Sequence, residues 1–238
     1  MTSTPTVRRW PPRVSARGFF LACFLKHCNH VEMIKKRAAF YVDGFNLYHS
    51  IKDLKDDRLK WLSLHGLANL LIPKQDEEVV FIKYFSALAH TRGLDSIKRH
   101  EAYLSALKSE GVSCILGRFK GQPRRCRVCG SSWKHPEEKE TDVNIAIHMV
   151  ADAFEDQFDS CYLISADTDL VPPLQLIKTK IPSKVIVAVS PPNRPHGQQI
   201  RSIAHRALKL NAAQLGRCRL PENFEFAGKQ MQCPAEYM

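Results

Sequence analysis

The chain has 238 residues, of which 44% are hydrophobic, and its formal net charge at neutral pH is +11. This length favours one domain with a sizeable core, and no apolar run is long enough to cross a membrane. The positive charge favours an anionic partner such as a nucleic acid. Eight cysteines without a regular spacing argue against a secreted disulfide scaffold, so we expect a reducing, cytoplasmic setting.

The first 33 residues differ in composition from the rest of the chain. Residues 1–31 contain five Lys/Arg and no Asp or Glu, so residues 32–238 hold 30 basic and 24 acidic residues. A signal peptide or a lipoprotein-type Cys23 is one interpretation of the short apolar patch at 18–25. We favour the other interpretation, in which residues 1–33 are a leader that is disordered or not part of the native protein.

Residues 38–46 predict the first strand. Five apolar residues run into Asp43 and Gly44, a pattern typical of a strand that is buried on both faces. Functional groups of parallel α/β sheets gather just past the carboxyl ends of the strands, where Asp43 would lie. Asn46 begins the next predicted helix.

Strands and helices alternate along the rest of the chain, which predicts a parallel sheet with right-handed crossovers. The expected fold class is α/β, a three-layer α/β/α sandwich with a mainly parallel central sheet of five to six strands. Beyond Gly216 the chain has little pattern, and we expect an extension that ends in a tail. The further predicted strands are 78–87, 112–116, 160–170, 184–189 and 207–210, and the predicted helices are 46–54, 61–71, 97–109, 136–154 and 198–205.

The loop after the second predicted strand belongs to the same sheet edge as Asp43. His90 in this loop either contacts a phosphate or caps the loop. Arg92 is either solvated or placed for a phosphate.

A pair of cysteines marks an insertion at 117–137, which shows no helical or strand period. Cys126 and Cys129 are followed by Gly130, and two thiolates at this spacing can share one tetrahedral zinc ion. Two unliganded cysteines or a redox pair are the alternatives. Candidates for the remaining zinc ligands are His135, Cys114 and His90.

The same insertion is rich in basic side chains, which suit a phosphate backbone if they are not simply solvated. The predicted nucleic-acid-binding residues are Arg118, Lys120, Arg124, Arg125 and Arg127.

Carboxylates recur at two further element boundaries. Asp142 lies beside the apolar face of helix 136–154, near its start, where its side chain could point along the sheet edge towards Asp43. Neighbouring acids Glu137, Glu138 and Glu140 need no functional role, because acids are ordinarily favourable at a helix N-terminus. We expect a structural role for His148 in the same helix.

The fourth strand ends in Asp167-Thr168-Asp169. Either acid alone could cap the following helix, but that explanation is poor for the whole set of four acids. Four converging carboxylates would repel one another, and Mg²⁺ or Mn²⁺ on oxygen ligands resolves the repulsion. Such clusters support in-line attack by water on a phosphodiester.

Three ordered blocks at 40–46, 139–144 and 165–170 resemble the signature blocks of the NYN domain family, in the LabA/DUF88-like branch of the PIN-like nuclease superfamily. The resemblance covers about residues 38–210, and the cysteine-bearing insertion is also similar to members of this branch. It implies a PIN-like fold and a metal-dependent ribonuclease site that acts on RNA. The catalytic roles that it implies fall on Asp43, Asp142, Asp167 and Asp169, with Asn46 assisting.

Two functions follow from these observations. The leading hypothesis is an endoribonuclease in which the four aspartates hold one or two Mg²⁺ or Mn²⁺ ions. The alternative is a non-catalytic RNA-binding or regulatory NYN-domain protein. We expect the domain at 34–212, a C-terminal extension at 213–238 and no membrane partner, and a homo-oligomer is compatible with the sequence.

Overall fold

A computed structural model describes residues 34–88, 93–195 and 197–238. The leader at 1–33, His90 and Arg92 lie outside these residues. The strands are β1 (Lys36–Asp43), β2 (Glu77–Ala87), β3 (Ser113–Arg125), β4 (Ser132–Lys139), β5 (Ser160–Ile164), β6 (Val185–Ser190), β7 (Arg206–Lys209), β8 (Asn223–Phe226) and β9 (Lys229–Gln232). The helices are α1 (Gly44–Asp53), α2 (Leu64–Leu71), α3 (Leu94–Ser109), α4 (Thr141–Phe154), α5 (Val171–Lys180), α6 (Gln198–Ile203) and α7 (Ala212–Gly216), with 3-10 turns at Asp57–Lys60, Thr168–Leu170 and Ala235–Tyr237.

The central sheet has seven strands in the order β4-β3-β2-β1-β5-β6-β7. All neighbouring pairs are parallel except β3 and β4, which are antiparallel. The predicted α/β fold with a mainly parallel sheet is confirmed, with seven strands in place of five or six. The first strand lies at the centre, between β2 and β5, so the carboxyl end of β1 is flanked by two parallel neighbours.

Helices cover both faces of the sheet, because successive side chains of a strand point to opposite faces. Phe40 and Val42 pack in a core layer with α1, α2 and α3, whereas Tyr41 packs with α4 and α5 on the other face. Asp43 follows Tyr41 by two residues and therefore points to the α4 face. This alternation decides on which side of the sheet each functional side chain lies.

The insertion forms a β-hairpin, although its sequence shows no strand period. The third strand continues outward to Arg125 and pairs with β4, and Lys120 lies opposite Glu137. The outer part of β3 is largely exposed on both faces, so it has no alternation of apolar and polar residues to reveal it. Backbone pairing and opposite charges across the two strands hold this edge of the sheet.

The predicted helix at 136–154 starts five residues too early. The observed α4 begins at Thr141, and Glu137 and Glu138 belong to β4. Acidic residues are disfavoured in strands and favourable at helix N-termini, so the local sequence preference of Glu137 and Glu138 is for a helix. Pairing with β3 overrides that preference.

Regular structure continues to Tyr237, where a tail was expected. Strands β8 and β9 form a hairpin, and Phe224 and Tyr237 are buried against Trp61. The indole Nε1 of Trp61 donates to the carbonyl of Pro221 at 2.9 Å. These few apolar residues are too widely spaced to give a period, yet they complete the core layer under α2 and α3. Among the described residues, no helix has the length and apolar character that a bilayer crossing requires.

Candidate metal centre

Asp43 is held rigidly where β1 ends and α1 begins. Only 3% of the residue is exposed. Its Oδ1 accepts a hydrogen bond from the backbone N–H of Asn46 at 3.0 Å, which caps α1, and its Oδ2 accepts from Ser165 Oγ at 2.8 Å. The next residue must be glycine, because a Cβ on Gly44 would lie 2.5 Å from the carbonyl oxygen of Phe85.

The end of β5 is tied to the end of β1 by polar side chains. Ser165 donates to Asp43, and its Oγ accepts from the backbone N–H of Asp167 at 3.0 Å. Asn46 Oδ1 accepts from the N–H of Ala166 at 3.3 Å. Asp167 Oδ1 in turn accepts from the N–H of Asp169 at 2.9 Å and caps the 3-10 turn. These bonds fix Asp43 and Asp167 relative to each other.

Asp142 enters from the start of α4 on the same face of the sheet. The junction between β4 and α4 is held by Glu138, whose Oε1 accepts from the backbone N–H of Thr141 at 3.0 Å and from its hydroxyl. A Cβ on Gly117 would lie 2.6 Å from the carbonyl oxygen of Lys139, so β3 approaches this junction closely. The hairpin therefore positions the helix that carries Asp142.

Three of the four predicted aspartates converge. One carboxylate oxygen from each of Asp43, Asp142 and Asp167 can be chosen so that all three lie within 4.8 Å of one another. Asp169 lies outside this group and is exposed. We refer to Asp43, Asp142 and Asp167 as the carboxylate cluster.

The carboxylate cluster is electrostatically uncompensated. Burial raises the pKa of Asp43, although the hydrogen bonds from Asn46 and Ser165 oppose this rise. Burial, followed by the negative charges of Asp43 and Asp167, raises the pKa of Asp142 to about 6. Within the described part of the chain, no lysine or arginine forms an ion pair with any of the three. A cation would relieve the repulsion among them.

The sequence interpretation missed two residues of this site. Glu138 lines the same cleft, and its charge raises the pKa values of Asp43 and Asp142. The sequence predicts no functional role for Glu138, because acids are ordinarily favourable at a helix N-terminus. No role is predicted for Ser165, whose hydroxyl joins Asp43 to the backbone of Asp167. The position of Ser165 two residues before Asp167, at a strand end, was the available signal.

Further residues line the cleft beside the acids. They are Phe45, His49, Thr141 and Arg194, together with Asn46. Arg194 forms an ion pair with Asp53 at 2.6 Å, so its guanidinium is held beside the cleft. A cationic group at this position could contact a phosphate of a bound anion.

The cysteine pair lies in the turn of the hairpin, far along β3 from the sheet core. The N–H of Gly130 donates to the carbonyl of Cys126 at 3.0 Å, and Cys129 Sγ lies 3.0 Å from Ser131 Oγ. Hydrogen bonding from Ser131 lowers the pKa of Cys129 to about 7. Cys114 cannot join this pair, because eleven residues of β3 lie between it and Cys126, about 40 Å of extended strand. The His135 side chain and His90 lie outside the described residues.

The basic residues of the hairpin divide between its faces and its turn. Arg118, Lys120 and Arg124 alternate along β3 on the sheet face of Cys114, which packs with the α3 layer. Phe119 points to the other face, and its ring lies 5.8 Å from that of Phe45. Arg125 and Arg127 lie at the turn, where Arg125 Nε donates to the carbonyl of Gly130 at 3.2 Å.

His148 belongs to a network outside the cleft. Its Nδ1 lies 3.3 Å from Lys83 Nζ, and Lys83 forms an ion pair with Asp152 at 2.6 Å. The hydroxyl of Tyr41 donates to Asp152 at 2.6 Å. This buried network joins β1 and β2 to α4, in keeping with the structural role expected for His148.

The fold and the carboxylate cluster define the chain as a PIN-like α/β domain. The family model for the NYN domain matches residues 37–211, and the chain belongs to this family. It is 29% identical over 223 aligned residues to 6-hydroxy-3-succinoylpyridine 3-monooxygenase HspA of Pseudomonas putida (strain DSM 28022 / S16), which covers 78% of this chain and 70% of that protein. The crystal structure of VPA0982, a protein of unknown function from Vibrio parahaemolyticus RIMD 2210633, shares the fold with a TM-score of 0.51 and 18% identity, covering 78% of this chain and 97% of that one.

Proposed function

We propose that this protein is a metal-dependent endoribonuclease of the LabA/DUF88-like branch of the NYN family. The observation that carries the proposal is the convergence of Asp43, Asp142 and Asp167 at the carboxyl edge of the parallel sheet. A purely structural protein gains nothing from gathering acids whose charges raise the pKa values of Asp43 and Asp142. Asp169, which caps no helix itself, extends the negative surface next to Asp167.

The donor set of the carboxylate cluster fits Mg²⁺ or Mn²⁺. All its candidate ligand atoms are carboxylate oxygens, which these hard cations prefer over nitrogen and sulfur. When bound, such a cation would polarise a phosphodiester oxygen and stabilise negative charge that develops on the phosphate. Asp43, Asp142 and Asp167 would hold it.

The chain's own residues orient the carboxylates of the cluster. Asp43 and Asp167 are fixed by donors from Asn46, Ser165 and Asp169, and each oxygen keeps a further lone pair for another ligand. No hydrogen bond from the described residues restrains the Asp142 side chain. Its pKa of about 6 belongs to the metal-free site, and a bound cation would lower it by favouring the charged carboxylate.

Positive charge around the cleft would position the RNA strand. Arg194 lines the cleft, and Arg118, Lys120 and Arg124 follow one another along β3 on the α3 face of the sheet. These side chains would contact phosphates without reading sequence.

Cleavage of a labelled single-stranded RNA in Mn²⁺, Mg²⁺ and EDTA tests the proposal. We expect cleavage with either cation and none in EDTA. The Asp142→Asn variant should lose activity, and the matched control Asp76→Asn, an exposed turn residue remote from the cleft, should keep it. Tight RNA binding without cleavage in either cation would instead support the non-catalytic, regulatory alternative.

A second candidate function comes from the curated relative, whose name describes a monooxygenase acting on a hydroxypyridine. The observation that favours it is a cavity beside the cleft lined by Tyr48, Tyr84 and Tyr103, which could enclose a heteroaromatic ring. The monooxygenase and nuclease functions can be distinguished by measuring oxygen uptake with a hydroxypyridine and an added reduced nicotinamide or flavin. The nuclease proposal predicts no substrate-dependent uptake.

We also propose one structural zinc ion at Cys126 and Cys129, and a cytoplasmic location. The thiol of Cys129 ionises near neutral pH, as a zinc ligand must. All six cysteines in the described ranges are free, which suits a reducing compartment. The proposed organisation keeps the NYN domain at 34–212, with 213–238 as an extension.

A further inference from the structure

A second cavity lies beside the carboxylate cluster, on the opposite face of the sheet. We name it the tyrosine cavity. It shares Gly44 and Phe45 with the structure around the cluster, since Phe45 lines both the cavity and the acidic cleft. Its other lining residues come from α1, the 3-10 turn at Asp57–Lys60, β2, α3 and the C-terminal 3-10 turn.

The walls of the tyrosine cavity are aromatic. The rings of Tyr84 and Tyr103 pack edge to face with centroids 5.9 Å apart. The Lys60 ammonium lies 5.6 Å from the ring centroid of Tyr48 and 5.9 Å from that of Tyr237. Lys60 already forms an ion pair with Asp57 at 2.5 Å, so the flat aromatic walls rather than its charge favour a planar aromatic ligand.

One side of the cavity is polar. Ser86 Oγ lies 3.3 Å from His100 Nε2. Burial lowers the pKa of His100, so the imidazole is neutral near pH 7 and offers both a donor and an acceptor. The edge of a heterocyclic base needs such a mixed set of partners.

The hairpin leads towards the same face of the sheet. Ser86 on β2 is in register with Leu116 on β3, and Arg118 follows on the same face two residues later, with Lys120 and Arg124 beyond it. Phe45 lines both the tyrosine cavity and the acidic cleft, so the two sites adjoin one another and a single strand can span them.

We propose that the tyrosine cavity receives one base of the RNA strand whose phosphodiester lies at the carboxylate cluster. The inference rests on the proposed nuclease function for the identity of the strand. The base stacks on the tyrosine rings and turns its polar edge to Ser86 and His100. The cavity would thereby fix the register of the strand relative to the carboxylates.

Binding in EDTA tests this inference independently of cleavage. The affinity of the full chain is measured for a short fluorescent RNA and for a series in which each nucleotide in turn lacks its base. Stacking of one base contributes roughly 1–3 kcal/mol, so we expect one abasic position to weaken binding by about 5- to 140-fold. Free nucleosides, measured alongside, show whether the ring alone is bound.

A substitution that fills the tyrosine cavity tests whether the cavity is the site of the base. Ser96→Trp places an indole in the cavity from the first turn of α3, and the matched control Ser105→Trp changes a partly exposed serine of the same helix that does not line the cavity. In Ser96→Trp the RNA should bind more weakly and the abasic effect should disappear, whereas Ser105→Trp should behave as the unmodified chain.

The inference is overturned if no abasic position weakens binding more than twofold in the unmodified chain, a result that needs no variant to fold. It is also overturned if nucleosides bind while base removal from the strand has no effect, because the occupant would then be a free small molecule. Base-dependent binding without cleavage in Mn²⁺ would uphold the cavity and refute the nuclease proposal.

Discussion

Neutralising Asp142 should stabilise the metal-free protein. Its carboxylate is half-buried among other acids, and its pKa is raised from the usual 3.8 to about 6. A raised pKa in the folded state means that the charged form is destabilised there relative to the unfolded chain. Asp142→Asn removes this charge and keeps the size of the side chain.

The expected gain follows from opposing contributions. A pKa difference of about two units corresponds to about 3 kcal/mol, and solvent screening at this half-exposed position reduces it to roughly half. Asp142 also lies in the first turn of α4, where a negative charge contributes about 0.3–1 kcal/mol through the helix dipole. The net gain for Asp142→Asn is therefore about 1 kcal/mol, or a rise of roughly 2–4 °C in Tm.

The pH dependence has a defined sign. Near pH 4 the carboxyl is still protonated in the folded chain and only about half ionised in the unfolded chain, so the variant and the unmodified protein should differ least there. The difference should grow between about pH 4 and 6, where the unfolded chain loses this proton and the folded chain keeps it, and be complete above about pH 7.

Thermal and urea unfolding in EDTA between pH 4 and 8 measure this difference, with Asp76→Asn as the exposed control. Adding Mn²⁺ should stabilise the unmodified chain more than Asp142→Asn, since ligand binding to the native state adds to stability. A variant that unfolds earlier than the unmodified protein at pH 8 would refute the reasoning and reduce Asp142 to a residue of the helix start.

Three further predictions address other parts of the molecule. Gly44→Ala should cost about 2 kcal/mol of the free energy of unfolding, measured in urea, because its Cβ would meet the backbone oxygen of Phe85 at 2.5 Å. Elemental analysis should give near one zinc per chain, lost in Cys129→Ser; zinc absent from both proteins would exclude the site. The double variant Lys120→Ala/Arg124→Ala removes two phosphate contacts to single-stranded RNA. The negative slope of log affinity against log salt should therefore become shallower by about 1.4, and an unchanged slope would exclude these two contacts.

Most of the fold could be predicted from the sequence, because the central strands are continuous apolar runs with clear ends. Strand β1 is an unbroken apolar run that ends in Asp43, and the structure buries it between β2 and β5. The hairpin could not be predicted in this way. Its strands pair at the sheet edge, with little burial to impose a period, so the boundary before Thr141 was misplaced and Glu138 was assigned to the helix.

The candidate site was only partly visible for a different reason. Strand ends and acidic residues pointed to Asp43, Asp142 and Asp167, which the structure brings together. From the sequence alone, helix capping and metal binding are alternative roles for an acid at a strand end. In the structure Asp43 and Asp167 each cap a turn with one oxygen while lying in the carboxylate cluster, so one carboxylate serves both purposes. Substituting Asp43 or Asp167 therefore both removes a cap and relieves charge repulsion, with opposite effects on stability. Substituting Asp142 tests the repulsion with less interference.

Single-turnover cleavage of RNA by Asp43→Asn and Asp167→Asn in Mn²⁺ tests the nuclease assignment most directly. Asparagine keeps an oxygen that can accept the capping hydrogen bond, but it removes the charge that would hold the cation. We expect the cleavage rate to fall by about 100-fold or more, with RNA affinity unchanged or slightly higher because a negative charge near the phosphates is gone. Variants that fold and still cleave RNA at the unmodified rate would contradict the assignment of this site.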